Sequence, residues 1–176
     1  ALERGHCDAK KVFVVRNGPD LRHFRPDQSV PDGSLRVRWR YVLAYVGVVG
    51  KQDGVAYILY ALHHLIYTRG RQDMGVVLMG DGPSLQRLKD LAHQLQIDEY
   101  VYFTGWIGKS EISSYLAASD LGLSPDPQNG LNEFCTMIKT MEYMAMGLPL
   151  VAFDLAETRF SAQEAALYAR PNEVED

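Results

Sequence analysis

Short apolar runs alternate with longer amphipathic segments along most of this chain, and this alternation constrains the fold more than any other feature. The apolar runs lie at residues 41–50, 74–83, 100–105, 120–126 and 149–154. Between them, apolar side chains recur at helical spacing in residues 54–69, 85–95, 110–118 and 133–149. Nearly continuous apolar runs are typical of strands buried on both faces, as in parallel sheets. The sequence therefore predicts an α/β fold in which helices cover both faces of a parallel sheet.

One further strand is predicted at residues 11–18, KVFVVRNG, where a β-branched run ends in the turn dipeptide Asn17-Gly18. With 176 residues, the chain has the length of one domain with one hydrophobic core. We therefore expect residues 1–176 to form a single domain. The first residues, ALERGHCDAKK, lack both an initiating Met and the apolar stretch of a signal peptide, so they read as the continuation of a longer chain.

Charge and cysteine content exclude several classes of function. A formal net charge of -4 and a pI near 5.7 give no general electrostatic reason to bind nucleic acid. Cys7 and Cys135 are far apart and have no partners at metal-ligand spacing, so the sequence predicts neither a disulfide scaffold nor a metal site. A reducing, cytoplasmic compartment fits this cysteine usage. No apolar run approaches the roughly 20 residues that a membrane helix needs.

Ligands of parallel α/β sheets bind at the carboxyl ends of the strands, so four loops are candidates: residues 47–54, 80–84, 104–110 and 124–136. In the first loop, glycines that permit close approach by a ligand surround Lys51, which suits an anion. The alternative for this loop is a plain turn with a solvated lysine. The glycines of these first two loops are Gly47, Gly50, Gly54, Gly80 and Gly82. The second loop, GDGPS, is also well suited to starting a helix.

The fourth loop delivers the chain to the predicted helix at 133–149, whose free N–H groups suit a phosphate, with the Thr136 hydroxyl as a further donor. The alternative is that Asn132 caps this helix and Glu133 complements its dipole. Its predicted core stripe consists of Met137, Ile138, Met141, Met144 and Ala145. Thr136, Lys139 and Glu142 then share another face, where Lys139 and Glu142 form either ligand contacts or an exposed ion pair.

These residues, taken together, resemble the C-terminal, donor-binding domain of GT-B glycosyltransferases, especially the family-4 retaining enzymes. KTMEYMAMGLPLVAFD (139–154) is similar to their E-x-M-A-x-G-x-P-V-V region, and VVRNGPDLRHF (14–24) to V-x-N-G-x-D-x-x-x-F. YVGVVGKQDGV (45–55) resembles their Y-V-G-R-L loop, and VVLMGDGPSLQRLKDLA (76–92) their strand, GxGP and helix unit. VYFTGWIGKSEISSYLAASDLGLSPD (101–126) resembles the segment that follows, so the resemblance covers nearly the whole chain.

The resemblance implies a Rossmann-like sheet that forms the C-terminal half of a GT-B fold, with the N-terminal acceptor domain absent from this chain. It implies that Glu142 binds the ribose hydroxyls of a UDP- or GDP-linked sugar donor. It further implies that amides around Cys135, Thr136 and Met137 hold the diphosphate. In this interpretation Gly80 and Gly82 line the nucleotide pocket, with Gly47, Gly50 and Lys51 in the neighbouring loop, and the backbone around Trp106 and Ile107 reads the base.

The sequence also departs from the family pattern. Phe134 stands eight residues before Glu142, where the family has an acid that binds the donor sugar, and its neighbour Glu133 is the candidate substitute. Val48 and Asp53 replace an arginine and a lysine that neutralise phosphate. A related K-x-x-E-Y-[LM]-A-x-G pattern among GT-B enzymes makes Lys139 the candidate replacement.

The expected function is therefore transfer of a sugar from a nucleotide-sugar donor to an acceptor, such as a growing glycan or lipid-linked saccharide, in polysaccharide biosynthesis. Glu133 and Lys139 are the candidate catalytic residues, and neither a cofactor nor a metal is expected. The fragment alone is expected to be inactive, because the acceptor site belongs to the absent domain, which would also carry any peripheral association with the inner face of the membrane. The alternatives are a GT-B sugar-nucleotide epimerase and a nonenzymatic Rossmann-like nucleotide-binding module.

Overall fold

The computed structural model describes residues 2–175. Its helices are α1 (Leu2–Gly5), α2 (Gly33–Arg38), α3 (Val55–Tyr67), α4 (Leu85–Gln94), α5 (Lys109–Ala117), α6 (Ile138–Ala145) and α7 (Ala156–Ala162). Its strands are β1 (Tyr41–Val46), β2 (Met74–Met79), β3 (Val101–Gly105), β4 (Leu121–Ser124), β5 (Leu150–Phe153) and β6 (Ala166–Ala169). No helix in the described part of the chain is long and apolar enough to cross a membrane.

The six strands form one parallel sheet in the order β3-β2-β1-β4-β5-β6, which confirms the predicted parallel α/β fold. The chain builds outward from β1 to β3 and then returns to place β4 on the other side of β1. Loops at the carboxyl ends of β1 and β4 therefore leave the sheet in opposite directions and open a crevice between them. This reversal positions the candidate site.

Two separate hydrophobic clusters cover the two faces of the sheet. One joins buried residues of α3 and α4, such as Leu59 and Leu88, to the sheet, and the other joins residues of α5 and α6, such as Leu116 and Tyr143. Every residue of β2 is buried, as expected for a strand covered on both faces. The prediction of helices on both faces is thus confirmed.

The five predicted strands from residue 41 onward are confirmed but shorter than their apolar runs. In β1 and β2 the glycines that follow the strand turn the chain out of the sheet. The strand predicted at 11–18 is wrong. A 3-10 turn at Ala9–Lys11 is followed by residues without regular structure, and Phe13, Val14 and Val15 are 80%, 80% and 90% exposed. A β-branched run needs a neighbouring strand edge to pair with, and none in the described part of the chain reaches this segment.

The helix predicted at 133–149 begins later than predicted, at Ile138, because residues 132–134 form a separate 3-10 turn. Its buried face also differs from the predicted apolar stripe. Lys139, Thr140, Tyr143 and the adjoining Met146 are buried, whereas Ile138 is 46% exposed. Met144 and Ala145 are half-buried against the core, so the stripe was correct only for the last turn.

Tyr143 explains why the buried face of α6 differs from the predicted one, because it anchors the helix to two strands. Its hydroxyl donates to the backbone oxygen of Leu123 at 3.0 Å and accepts from the amide of Val46 at 3.1 Å. The ring lies directly on Gly122, where a Cβ atom would stand 2.4 Å from Cδ2 of the tyrosine. Tyr143 thereby holds α6 at the point where the strand order reverses.

Candidate functional site

The glycine loops that follow β1, β2 and β3 pack backbone to backbone and form one edge of the crevice. The Gly47 amide donates to Met79 O, the Val49 amide to Asp81 O, and the Gly80 amide to Gly105 O, each at 3.0 Å. A Cβ atom on Gly80, whose φ is +144°, would lie 1.9 Å from the carbonyl oxygen of Gly47. These glycines are therefore required first of all for the close approach of the loops.

The first loop continues into a 3-10 turn, Lys51–Asp53, in which Lys51 is exposed. The Asp53 side chain turns back to accept from the Gly50 amide at 3.0 Å. Desolvation raises the pKa of Asp53, and the resulting shift is only partly offset by the Gly50 amide and the charge of Lys139. Asp53, which stands where the family has a lysine, therefore stabilises the turn of its own loop through the Gly50 amide.

The two residues that follow β3, Trp106 and Ile107, differ in exposure. Trp106 is 79% exposed at the carboxyl end of the strand, whereas Ile107 packs against the core cluster that contains Leu116. An exposed indole at this edge offers a flat apolar surface. Only the first of these two predicted positions therefore presents its side chain outside the core.

Lys139 forms a buried ion pair that the sequence did not reveal. Its Nζ lies 2.7 Å from Oδ1 of Asp126, and the two side chains are 8% and 3% exposed. The other carboxylate oxygen of Asp126 accepts from the Ser124 hydroxyl at 2.7 Å. A Cβ atom on Gly47 would lie 3.4 Å from Cε of the lysine, so Lys139 lies directly under the first glycine loop.

Glu142 is half-buried and has no ion-pair partner in the described residues, so the interpretation of an exposed pair with Lys139 is wrong. Burial raises the pKa of its carboxyl, against the opposing charges of Lys109 and Lys139. Across residues 2–175 no donor is hydrogen-bonded to this carboxylate. A half-buried carboxylate with open oxygens can accept hydrogen bonds from vicinal hydroxyls.

The amino end of α6 is open. Met137 is the N-cap residue and makes no side-chain capping bond. The Thr140 amide donates to Met137 O at 3.2 Å, whereas the amides of Ile138 and Lys139 have no partner within the described residues. The Cys135 amide, by contrast, already donates to Asn132 O at 3.2 Å. The Thr136 hydroxyl donates to Oε1 of Glu157 at 2.7 Å, and its carbonyl oxygen accepts from the Asn17 side chain. Of the three residues predicted to supply amides here, Cys135 is the one already engaged.

Asn132 and Glu133 act elsewhere than predicted, because α6 begins five residues after Glu133. Asn132 is buried, and its side-chain Nδ2 donates to Gln52 O at 3.1 Å and to Pro127 O at 2.9 Å. The side chain therefore connects two loops and caps no helix. Oε2 of Glu133 accepts from the Ala156 amide at 3.1 Å, at the start of α7. Its Oε1 accepts from Gln128 at 2.6 Å, and these two bonds lower its pKa.

Two carboxylates were missed by sequence reasoning, namely Asp126 and Glu157. Both contact the amino-terminal part of α6 from other segments of the chain, at sequence separations of 13 and 21 residues. No spacing rule links residues so far apart. The one available signal was that Asp126 ends one predicted strand and Glu157 lies three residues after another, near the carboxyl edge where sites of parallel sheets form.

A cavity of about 410 Å³ lies between α3 and strands β4 and β5. Its lining is mostly apolar and includes Leu43, Ile58, Leu62 and Val151. Such a lining suits hydrocarbon and offers few partners for a diphosphate. No group of three or more His, Cys, Asp or Glu residues within 2–175 is arranged to hold a metal ion.

Comparison with known proteins identifies the family. The sequence model of the family described as "Glycosyl transferases group 1" matches residues 40–176. An alpha-monoglucosyldiacylglycerol synthase of Streptococcus pneumoniae is 35% identical over 133 residues, covering 76% of this chain and 27% of that protein. A GDP-mannose-dependent alpha-(1-6)-phosphatidylinositol monomannoside mannosyltransferase of Mycolicibacterium smegmatis is 30% identical over 143 residues, covering 77% of this chain and 36% of that protein.

Solved structures show the same fold. Anabaena Alr3699/HepE in complex with UDP superimposes with a TM-score of 0.68 at 19% identity, covering 97% of this chain and 46% of that chain. The C-terminal domain of the Francisella tularensis group 1 glycosyl transferase LpcC gives a TM-score of 0.65 at 18% identity, covering 86% of this chain and 82% of that domain.

The chain spans about a third of the length of the curated relatives that it matches, 36% and 30% of the first two. The family match nevertheless extends over more than three quarters of the chain, and two relatives reach at least 30% identity. The motifs at 45–55, 76–92 and 139–154 lie on the parallel sheet and its carboxyl-edge loops, as the resemblance implied. The chain belongs to the group 1 glycosyltransferases and has the fold of the C-terminal domain of a GT-B enzyme.

Proposed function

We propose that this chain is the donor-binding domain of a retaining glycosyltransferase that uses a UDP- or GDP-linked sugar without a metal or cofactor. The observation that carries the proposal is the open amino end of α6, which lies at the strand reversal with the Glu142 carboxylate one to two turns along the same helix. Free helix amides suit a diphosphate, and a carboxylate suits two vicinal ribose hydroxyls. A nucleoside diphosphate spans both groups.

The nucleotide would lie across the edge formed by the glycine loops. Gly47, Gly50, Gly80 and Gly82 leave this edge free of side chains, and the exposed Trp106 lies beside it for the base. Relatives whose names specify GDP-mannose, and fold neighbours bound to UDP or UDP-glucose, support a nucleotide-linked sugar as donor.

Catalysis would be electrostatic. When the bond between the sugar and the diphosphate breaks, negative charge develops on the leaving diphosphate, and preorganised amides at the helix terminus stabilise it. The first-turn amides of α6 would supply this stabilisation, with Met137 and Thr136 shaping the approach and Lys51 adding a mobile charge. Lys139 would contribute a buried positive charge that is already partly balanced by Asp126.

The acceptor would bind largely to a further domain of the same polypeptide, across the crevice from α6. Curated relatives about three times the length of this chain support that arrangement. We therefore propose a cytoplasmic enzyme that assembles a polysaccharide or glycolipid, with any contact to the membrane made through that other domain, and we expect this chain alone to bind donor without transferring sugar.

Isothermal calorimetry of the 176-residue chain with UDP, GDP, ADP and a nicotinamide dinucleotide tests the proposal. We expect one nucleoside diphosphate to bind with a dissociation constant at least tenfold lower than the nicotinamide dinucleotide. A chain that binds none of the nucleoside diphosphates is not a donor-binding domain. Product analysis with a full-length protein then separates sugar transfer from epimerisation and from nucleotide binding alone.

A further inference from the structure

The Glu157 carboxylate lies at the amino end of α6, although Glu157 itself belongs to the first turn of α7. Its Oε1 accepts from the Thr136 hydroxyl at 2.7 Å and from Nε of Arg16 at 2.6 Å. Thr136 immediately precedes Met137, the N-cap residue of α6. Three distant segments of the chain therefore bring a threonine, an arginine and a glutamate together beside the open helix amides.

The carboxylate is ionised and has an open oxygen. Hydrogen bonds from Arg16 and then from Thr136 lower the pKa of Glu157, so it carries its charge throughout the neutral range. Both bonds fall on Oε1, and no donor within the described residues is bonded to Oε2. The side chain is 14% exposed, so it remains partly open to solvent. Such a group accepts hydrogen bonds from sugar hydroxyls.

The other carboxylates near this end of α6 do not offer the same capacity. Both oxygens of Glu133 already accept bonds, from Gln128 and from the Ala156 amide. Asp126 is buried, and its two oxygens are bonded to Lys139 and Ser124. Glu142 lies further along the helix, at the position suited to the ribose. Among these four carboxylates, Glu157 is thus the one that remains for a group lying beyond the diphosphate.

We propose that Glu157 binds hydroxyls of the donor's sugar ring and so helps to select that sugar, with Arg16 as the positioning residue that holds Oε1 by its hydrogen bond. The inference rests on the proposed function, because the sugar is bonded to the outer phosphate and therefore lies next to the diphosphate at the amino end of α6. The exposed phenyl ring of Phe134, with no polar atom, makes no competing contact with sugar hydroxyls. Glu157, and not Glu133, is the acid of the sugar subsite.

Calorimetry first shows whether the wild-type chain binds the pair UDP-glucose and UDP or the pair GDP-mannose and GDP. With that pair, the affinity for the nucleotide sugar is then compared with the affinity for the nucleoside diphosphate in each variant. Glu157→Gln keeps the size of the side chain but loses the charge. We expect it to lower the affinity for the nucleotide sugar about tenfold and to leave the affinity for the nucleoside diphosphate unchanged, since a hydrogen bond to a charged group contributes about 1.5–3 kcal/mol. Glu164→Gln, which removes an exposed charge, is the matched control and changes neither affinity.

A wild-type chain that binds neither UDP nor GDP would overturn the proposed function itself. If it binds nucleotide, but Glu157→Gln leaves the ratio of the two affinities unchanged, or Glu133→Gln lowers that ratio instead, the assignment of Glu157 is wrong. Should Glu157→Gln fail to fold, Arg16→Gln decides. Loss of the arginine raises the pKa of Glu157 toward its usual range, so the ratio of nucleotide-sugar affinity to nucleoside-diphosphate affinity is expected to fall more between pH 7 and pH 4 in this variant than in the wild type. The same pH profile in both proteins overturns the assignment.

Discussion

Nζ of Lys139 lies 2.7 Å from Oδ1 of Asp126, with both side chains almost fully buried. The pair ties the first turn of α6 to the loop that follows β4, below the glycine loop that contains Gly47. It fixes the helix whose open end carries the proposed donor site. The ion pair gives Lys139 a structural contribution besides the contribution to anion binding that we propose, and stability measurements can isolate the first.

Replacement of Lys139 by methionine is expected to lower the free energy of unfolding by about 3–5 kcal/mol, because Asp126 is left as a buried charge with only the Ser124 hydroxyl as partner. Urea unfolding followed by circular dichroism measures the change. The double variant Lys139→Met/Asp126→Leu is expected to recover most of the loss, because an apolar pair of similar volume replaces a buried ion pair with little or no loss of stability.

Lys11→Met is the matched control for this series, since Lys11 is exposed, and its change should stay within about 0.5 kcal/mol. If Lys139→Met alone lies within that same limit, the buried ion pair does not exist in solution.

Glu142→Ala is expected to weaken binding of the nucleoside diphosphate about 10- to 100-fold, because hydrogen bonds from hydroxyls to a charged acceptor are lost. Calorimetry with the nucleotide and with inorganic pyrophosphate measures the change. Pyrophosphate has no ribose, so its affinity should stay within about twofold of wild type or rise slightly as a negative charge is removed. An equal loss for both ligands would indicate a damaged helix terminus and not a lost ribose contact.

Glu142→Gln is expected to raise the midpoint of thermal unfolding at pH 7 while it weakens nucleotide binding. Burial raises the pKa of Glu142 in the folded state, so the folded chain holds the proton more tightly than the unfolded chain. Wild-type stability therefore falls as pH rises from the unfolded pKa, about 4.3, through the raised folded pKa.

The glutamine variant carries no such proton, so its advantage should be full above the folded pKa and vanish below the unfolded pKa. Calorimetric scans from pH 3.5 to 8 check this dependence. A constant difference between the two proteins over that range would mean that Glu142 is not desolvated.

Tyr143→Phe is expected to lower the free energy of unfolding by about 1–3 kcal/mol, because the amide of Val46 and the carbonyl of Leu123 lose a buried partner. The ring itself still packs on Gly122, so the fold is retained. Tyr60→Phe is the control, since the Tyr60 side chain is 43% exposed. Equal midpoints of urea unfolding for the two variants would contradict the anchoring role of the Tyr143 hydroxyl.

The sheet could be predicted because its information is local. Five strands and the helices α3, α4 and α5 follow from apolar runs and helical spacing, and the glycines at strand ends marked the correct loops. The run at 12–15 has the same local character as a strand, yet it remains unpaired and exposed because strand formation also requires a free sheet edge. Local propensity does not supply that edge.

The sequence by itself determined the parallel α/β fold, the family, and Glu142 with the amino end of α6 as site candidates, because apolar runs, helical spacing and motif spacing are properties of neighbouring residues. Only the tertiary structure decided which face of α6 is buried, since Tyr143 anchors it through Leu123 and Val46. The tertiary structure also decided which residues contact the charged side chains near α6. Lys139 is paired with Asp126 and Thr136 with Glu157, because the strand reversal brings together residues that no spacing rule connects.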